Sequence, residues 1–230
     1  MLKYIIKFCC FLFLPFISFA VEKASEIPIF KPYNFVKLEA GSAIPTPLGN
    51  NTGLSAGKTT YTFGIAGGRK LDEFISLNLE YMFRGNSTAE YYVPGQTNDN
   101  NTSWTTKSHT FMMNLSLDLM PSSRVTPYII AGGGISINKP STYNQFDDKS
   151  SKFAYSPGKT TKNFAWQLGL GINFNASETF STEIEYRFID KGTVETQPYQ
   201  TISGKKPTAI SPIKGNFRDN VIMIGLKIKF

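Results

Sequence analysis

The chain has 230 residues, a formal net charge of +7, 41% hydrophobic, 14% aromatic and 18% charged residues. Its mean hydropathy of -0.17 excludes a helical membrane protein, which needs repeated apolar runs of about 20 residues. The hydrophobic and aromatic content equally excludes a disordered chain, because it supplies enough apolar surface to bury.

The first element is an address. Met1 to Lys7 carries two lysines, Phe8 to Phe19 is almost wholly apolar, and Ser18-Phe19-Ala20 offers small residues at the cleavage-determining positions. This predicts a secretory signal peptide over residues 1–20, removed after Ala20, and a periplasmic lead-in over 21–32. Losing Lys3 and Lys7 with the leader lowers the charge from +7 to +5. Cys9 and Cys10 both lie inside the leader, and His109 is the one histidine. No disulfide framework, cysteine nucleophile, metal cluster or cofactor is therefore expected in the exported chain.

Downstream of the leader the pattern has period two, in runs of about ten residues broken by Gly, Pro, Asn, Ser and Thr. Eight such strands are predicted: about Tyr33–Ala43, Thr60–Lys70, Phe74–Arg84, Ser108–Leu119, Thr126–Ile137, Asn163–Phe174, Phe180–Ile189 and Asn220–Phe230. In the third, Ile75, Leu77, Leu79, Tyr81 and Phe83 oppose Ser76, Asn78, Glu80, Met82 and Arg84. In the last, Ile222, Ile224, Leu226 and Ile228 oppose Val221, Met223, Gly225, Lys227 and Lys229. The fifth, TPYIIAGGGISI, shows no polar face and its orientation stays open. Ten residues at about 3.3 Å each, tilted near 45°, match the height of an outer-membrane hydrocarbon band.

Connections alternate between short and long. Leu71–Glu73, Met120–Val125 and Asn175–Thr179 are short, whereas the other links are long and polar. That is the plan of an all-β, eight-stranded antiparallel up-and-down transmembrane barrel over residues 33–230, with periplasmic turns and extracellular loops. A count of ten strands also stays open, should part of the last loop pair.

A soluble barrel with its apolar face inside has the same alternation. The polar faces carry Lys37, Glu39, Lys70, Glu80, Arg84, Asp118, Glu183, Glu185, Arg187, Lys227 and Lys229, six cations and five anions. A lipid-facing Lys or Arg costs about 2–4 kcal/mol at the midplane, so in a membrane these side chains are expected to pair inside the lumen. Aromatics are expected in two girdles. Tyr33, Phe35, Phe74, Phe180 and Phe230 form the short-turn band; Tyr61, Phe83, Phe111, Phe164, Trp166, Tyr186 and Phe188 form the long-loop band.

The first strand NFVKLEAG, the glycine-rich PYIIAGGGIS, the strand EIEYRF and the terminal GLKIKF together resemble the small eight-stranded outer-membrane barrels of the opacity and OmpA-like superfamily. The resemblance implies residence in the bacterial outer membrane, insertion by the barrel-assembly machinery with Phe230 as the terminal signal, and loops facing outward. It leaves activity open, since such barrels serve as adhesins, anchors and, rarely, enzymes.

The loops suggest contact with a partner. Tyr91, Tyr92 and Trp104 stand among Asn and Thr, and Lys149, Lys152, Lys205 and Lys206 make the later loops basic. Such surfaces suit adhesion to an acidic host-cell partner, or contact with outer-membrane lipid and lipopolysaccharide. A small porin or a purely structural barrel is the alternative; the interior of eight strands is just wide enough for side chains to fill. No enzyme is expected. His109 lies on the apolar face near the long-loop end, but its same-face neighbours Lys107 and Phe111 are not nucleophiles. Export and dispersed lysines also speak against nucleic acid.

Overall fold

A computed structural model describes residues 30–46, 57–91, 102–121, 123–147, 152–202 and 206–230. The chain divides after Lys31, and Pro32–Phe230 forms the unit considered below. The expected leader over 1–20 and nearly all of the lead-in lie outside the described residues.

Eight long strands form the wall: β1 (Tyr33–Pro45), β2 (Thr60–Lys70), β3 (Ile75–Tyr91), β4 (Thr102–Asp118), β5 (Val125–Pro140), β9 (Thr161–Asn175), β10 (Phe180–Thr196) and β13 (Lys214–Lys229). Each pairs antiparallel with its neighbours, and β1 pairs with both β2 and β13. The sheet is thus closed, with eight wall strands. Five short strands, β6 (Tyr143–Asp147), β7 (Lys152–Ser156), β8 (Gly158–Lys159), β11 (Tyr199–Ile202) and β12 (Thr208–Ala209), lie in the long connections.

The short turns are built from local hydrogen bonds. Asp72 Oδ1 accepts from the amides of Phe74 and Ile75 at 2.8 and 2.7 Å, and Ser177 Oγ accepts from Phe180 N at 3.0 Å. These side chains replace backbone partners where the chain reverses. At the terminus, the amides and carbonyls of Asn34 and Phe230 bond reciprocally at 2.9 Å, so the last residue sits within the closing seam.

Burial follows parity around the wall. Leu79, Phe164, Leu170 and Ile224 point outward with 59–72% of their surface exposed, whereas the charged alternates are buried, or half-buried at Asp118, Lys227 and Lys229. Such an apolar exterior suits hydrocarbon and would be ruinous in water. Tyr128, Ile130, Ser136 and Asn138 point inward on β5, which settles its orientation. Two members of the short-turn girdle are corrected: Phe35 is buried, and Tyr33 shares its inward parity on β1 with Lys37.

The strands also run further outward than the alternation suggests. β3 and β4 reach 17 residues each by absorbing most of the segment read as a loop over 85–106; β10 likewise extends to Thr196. At about 3.3 Å per residue and 45° tilt, 17 residues rise near 40 Å, well beyond a hydrocarbon band of about 25 Å. The barrel therefore continues above the membrane. There β6 and β7 form a hairpin, β7 pairs with β11, and β11 with β12, so the last two long connections are joined into one sheet.

Candidate functional site

The interior is layered along the barrel axis. At the periplasmic end Lys70 meets Asp118 at 2.6 Å, and Lys229 donates to Asn175 Oδ1 at 2.6 Å. Above this lies the main cluster. Arg187 reaches Glu80 and Glu39, each at 2.6 Å, and also contacts Glu185. Lys37 Nζ stands between Glu39, Glu183 and Glu185 at 2.6, 2.7 and 3.0 Å, and Lys227 contacts Glu183 at 2.9 Å.

Neutral donors complete this layer. Asn114 and Gln167 donate to Glu80 Oε2 at 2.6 and 3.3 Å, Gln167 also donates to Asn114 Oδ1 at 2.6 Å, and the Tyr128 hydroxyl donates to Glu185. Buried charge is costly unless it is both paired and hydrogen-bonded; Lys37, Glu80, Glu185 and Arg187 are both, whereas Glu183 is held by its ion pairs to Lys37 and Lys227. Glu39, Glu183 and Glu185 offer oxygens within 4.8 Å of one another, a spacing compatible with a metal ion. The Lys37 ammonium lies within 3.0 Å of all three, however, so a cation of the chain itself already fills that role.

Next comes an apolar layer of Ala43, Met82, Met112, Ala165, Ile189, Val221 and Met223. Above it Arg84 grips Asp219 with Nε at 2.8 Å and Nη2 at 2.9 Å, while Lys191 reaches the same carboxylate at 2.8 Å. Both cations lie over the Phe217 ring, at 4.5 and 5.5 Å. Trp104, Tyr143, Val194 and Phe217 then close the outer mouth.

All eleven predicted lumen charges thus stand on inward-facing positions. Lys191, Asp219 and Tyr128 were missed. The first two continue the parity of Arg187 and of Val221, just beyond where the apolar alternation fades; Tyr128 was hidden by the two-sided fifth strand. Among the predicted contact residues, Trp104 is corrected: it is 1% exposed, because its even parity on β4 turns it into the mouth. Tyr92, Lys149 and Lys205 lie outside the described residues. Tyr91 ends β3 and Lys152 opens β7, while Lys206 is exposed. On the outer wall, His109 Nδ1 bonds the Tyr81 hydroxyl at 2.8 Å and its ring packs near Phe83.

The sequence model of the outer membrane protein beta-barrel domain matches residues 11–230. The chain belongs to this family. The closed barrel with an apolar exterior agrees, and the protein resides in the bacterial outer membrane. Neisserial surface protein A is 13% identical with a TM-score of 0.50, covering 87% of this chain and 100% of that one. OprG from Pseudomonas aeruginosa is 15% identical with a TM-score of 0.53, covering 86% and 96%. A major outer membrane protein from Thermus thermophilus is 10% identical with a TM-score of 0.50, covering 86% and 99%. At these identities the likeness is one of fold. No curated protein matches the sequence.

Proposed function

We propose that this outer-membrane barrel is a surface-binding protein, in which the wall anchors a stiff β platform whose loops engage an acidic partner outside the cell. One observation carries this reading: the strands continue past the membrane and are packed from within by Trp104, Tyr143, Val194 and Phe217. A barrel that only had to stay in the membrane gains nothing from this second core. The joined sheet of β6, β7, β11 and β12 fixes the long connections relative to one another, and preorganised loops bind at lower entropic cost. Lys159 and Lys214 are held by Glu195 at 2.5 and 3.7 Å, leaving the exposed Lys206 to attract anionic groups such as those of a host-cell surface.

The same reading has the chain exported by its leader, cleaved after Ala20 and inserted by the barrel-assembly machinery. It takes the protein as a binder rather than an enzyme, consistent with His109 resting against Tyr81 and Phe83. It also takes the lumen as closed to steady conduction, since each layer is filled by side chains.

Replacing residues 92–101 and 203–207 with Gly-Ser segments tests the proposal. Adherence of cells displaying the protein to sialylated or sulfated surfaces is expected to fall, while the folded, heat-modifiable band persists. Unchanged adherence overturns the adhesive role. Large, reproducible steps from purified wild-type protein in planar bilayers favour a porin instead.

A further inference from the structure

Three lysines stand together on the outside of the barrel, away from the loops. On β4 the odd residues face outward, on β5 likewise, and on β9 the even ones do. Lys107 therefore pairs directly with Lys139, and Lys162 pairs with Ile137, one step along the same ladder. All three are exposed.

Like charges directly opposite in an antiparallel pair are unfavourable. Two other exposed cations are matched: Arg218 contacts Asp190 at 2.7 Å, and Lys159 contacts Glu195 at 2.5 Å. Among the described residues no carboxylate is placed against Lys107, Lys139 or Lys162. The sheet thus carries an unneutralised positive patch on its outer face, at the edge of the wall that faces lipid.

The residues beneath the patch identify what neutralises it. The next ladder row toward the membrane is Phe111, Ile135 and Phe164, and the following one is Met113, Gly133 and Trp166. Phe164 is 72% exposed and Phe111 51%. Cations above an aromatic and aliphatic shelf match a molecule with anionic groups above and acyl chains below. His109, in the same row as Ile137 and Lys162, adds a polar edge, its Nδ1 sharing a hydrogen bond with the Tyr81 hydroxyl at 2.8 Å.

We propose that Lys107, Lys139 and Lys162 form a binding site for the phosphoryl groups of an outer-leaflet glycolipid whose acyl chains lie along Phe111, Ile135, Phe164 and Trp166. A soluble polyanion makes no use of the shelf, and a protein partner would have to enter the bilayer to reach it. This site stands apart from the loop surface proposed above, and either can fail alone.

The test uses full-length protein in phosphatidylcholine vesicles, titrated with fluorescent bis-phosphorylated lipid A and with the same lipid dephosphorylated. A lysine at a membrane surface contributes roughly a fivefold gain in binding. The triple variant Lys107→Gln/Lys139→Gln/Lys162→Gln is therefore expected to bind the phosphorylated lipid about a hundredfold more weakly. The dephosphorylated lipid should bind wild type as weakly as that variant binds the phosphorylated form. Lys139→Glu, which gives Lys107 an ion-pair partner, keeps the fold and loses binding, whereas arginine at the three positions retains it. Equal binding by wild type and the triple variant overturns the site. So does equal binding of the two lipids, or displacement of the lipid by inorganic pyrophosphate at concentrations comparable to those of the lipid itself.

Discussion

Arg187 and Glu80 stand on opposite sides of the barrel, four strands apart around the ring in either direction, and meet across its interior at 2.6 Å. The pair is a strut: it fills the diameter and ties β10 to β3, which share no backbone bond. Glu39 and Glu185 meet the same guanidinium, so one side chain offsets charge from three strands.

Removing that side chain strands three buried carboxylates. Arg187→Met is expected to destabilise the folded barrel by about 3–5 kcal/mol, read as a lower urea midpoint in lipid vesicles. Adding Glu80→Gln to the same chain should recover part of the loss, because it removes one of the orphaned charges. Lys206→Gln, at an exposed position, should change the stability by no more than about 0.5 kcal/mol.

Two glycines on the wall differ in what surrounds them. A Cβ at Gly134 would stand 1.9 Å from the Phe111 carbonyl oxygen and 2.8 Å from Met112 Cα, whereas one at Gly67 would meet nothing within 4 Å. The obstruction at Gly134 is backbone and cannot swing aside. Gly134→Ala is expected to cost about 1–3 kcal/mol and to lower the folded fraction on unboiled gels; Gly67→Ala should leave it unchanged.

The outer mouth should yield separately from the membrane-embedded wall. Trp104→Ala removes the largest side chain of that cluster, a change worth about 3–5 kcal/mol when fully buried. Limited proteolysis is expected to cut the variant within 85–106 or 191–217 while the embedded barrel still migrates as a folded band. Trp104→Phe, which keeps most of the bulk, should resist cleavage.

Outside the membrane, the Lys159 hydrogen bond holds the Glu195 carboxyl below its ordinary range. A depressed folded pKa means the stabilisation is present above the unfolded value, near 4.5, and fades as pH falls through the folded one. An NMR titration should therefore place the Glu195 midpoint below that of a free glutamate. Lys159→Ala should move it upward, and the β8–β10 pairing should loosen only in acid.

Parity made most of this architecture legible. Ile75 to Arg84 alternates cleanly because lipid presses on one face and paired charge on the other, and those two environments demand opposite chemistry. Above the membrane the outer face meets water, so NSTAE and TSWTTK lose their apolar half and pass for loop. Trp104 was misread there for that reason: a tryptophan amid threonines looks like a contact residue until the strand is extended through it. The same shortfall leaves Lys139 and Lys162 just outside the predicted strands, which stop at Ile137 and resume at Asn163. The glycines of the fifth strand erased its polar face, and only Tyr128, Ser136 and Asn138 reaching inward reveal it.

The ionic partners in the lumen come from distant parts of the chain, with Lys37 and Glu185, like Glu39 and Arg187, 148 positions apart in sequence. None of those contacts can form until β1 has met β13 and the circle is complete. An open, half-inserted sheet would leave the same carboxylates bare against lipid, so each intermediate is penalised and the finished ring is not. The amino acids that seal the interior thereby also make assembly all-or-none, with the final seam acting as the clasp.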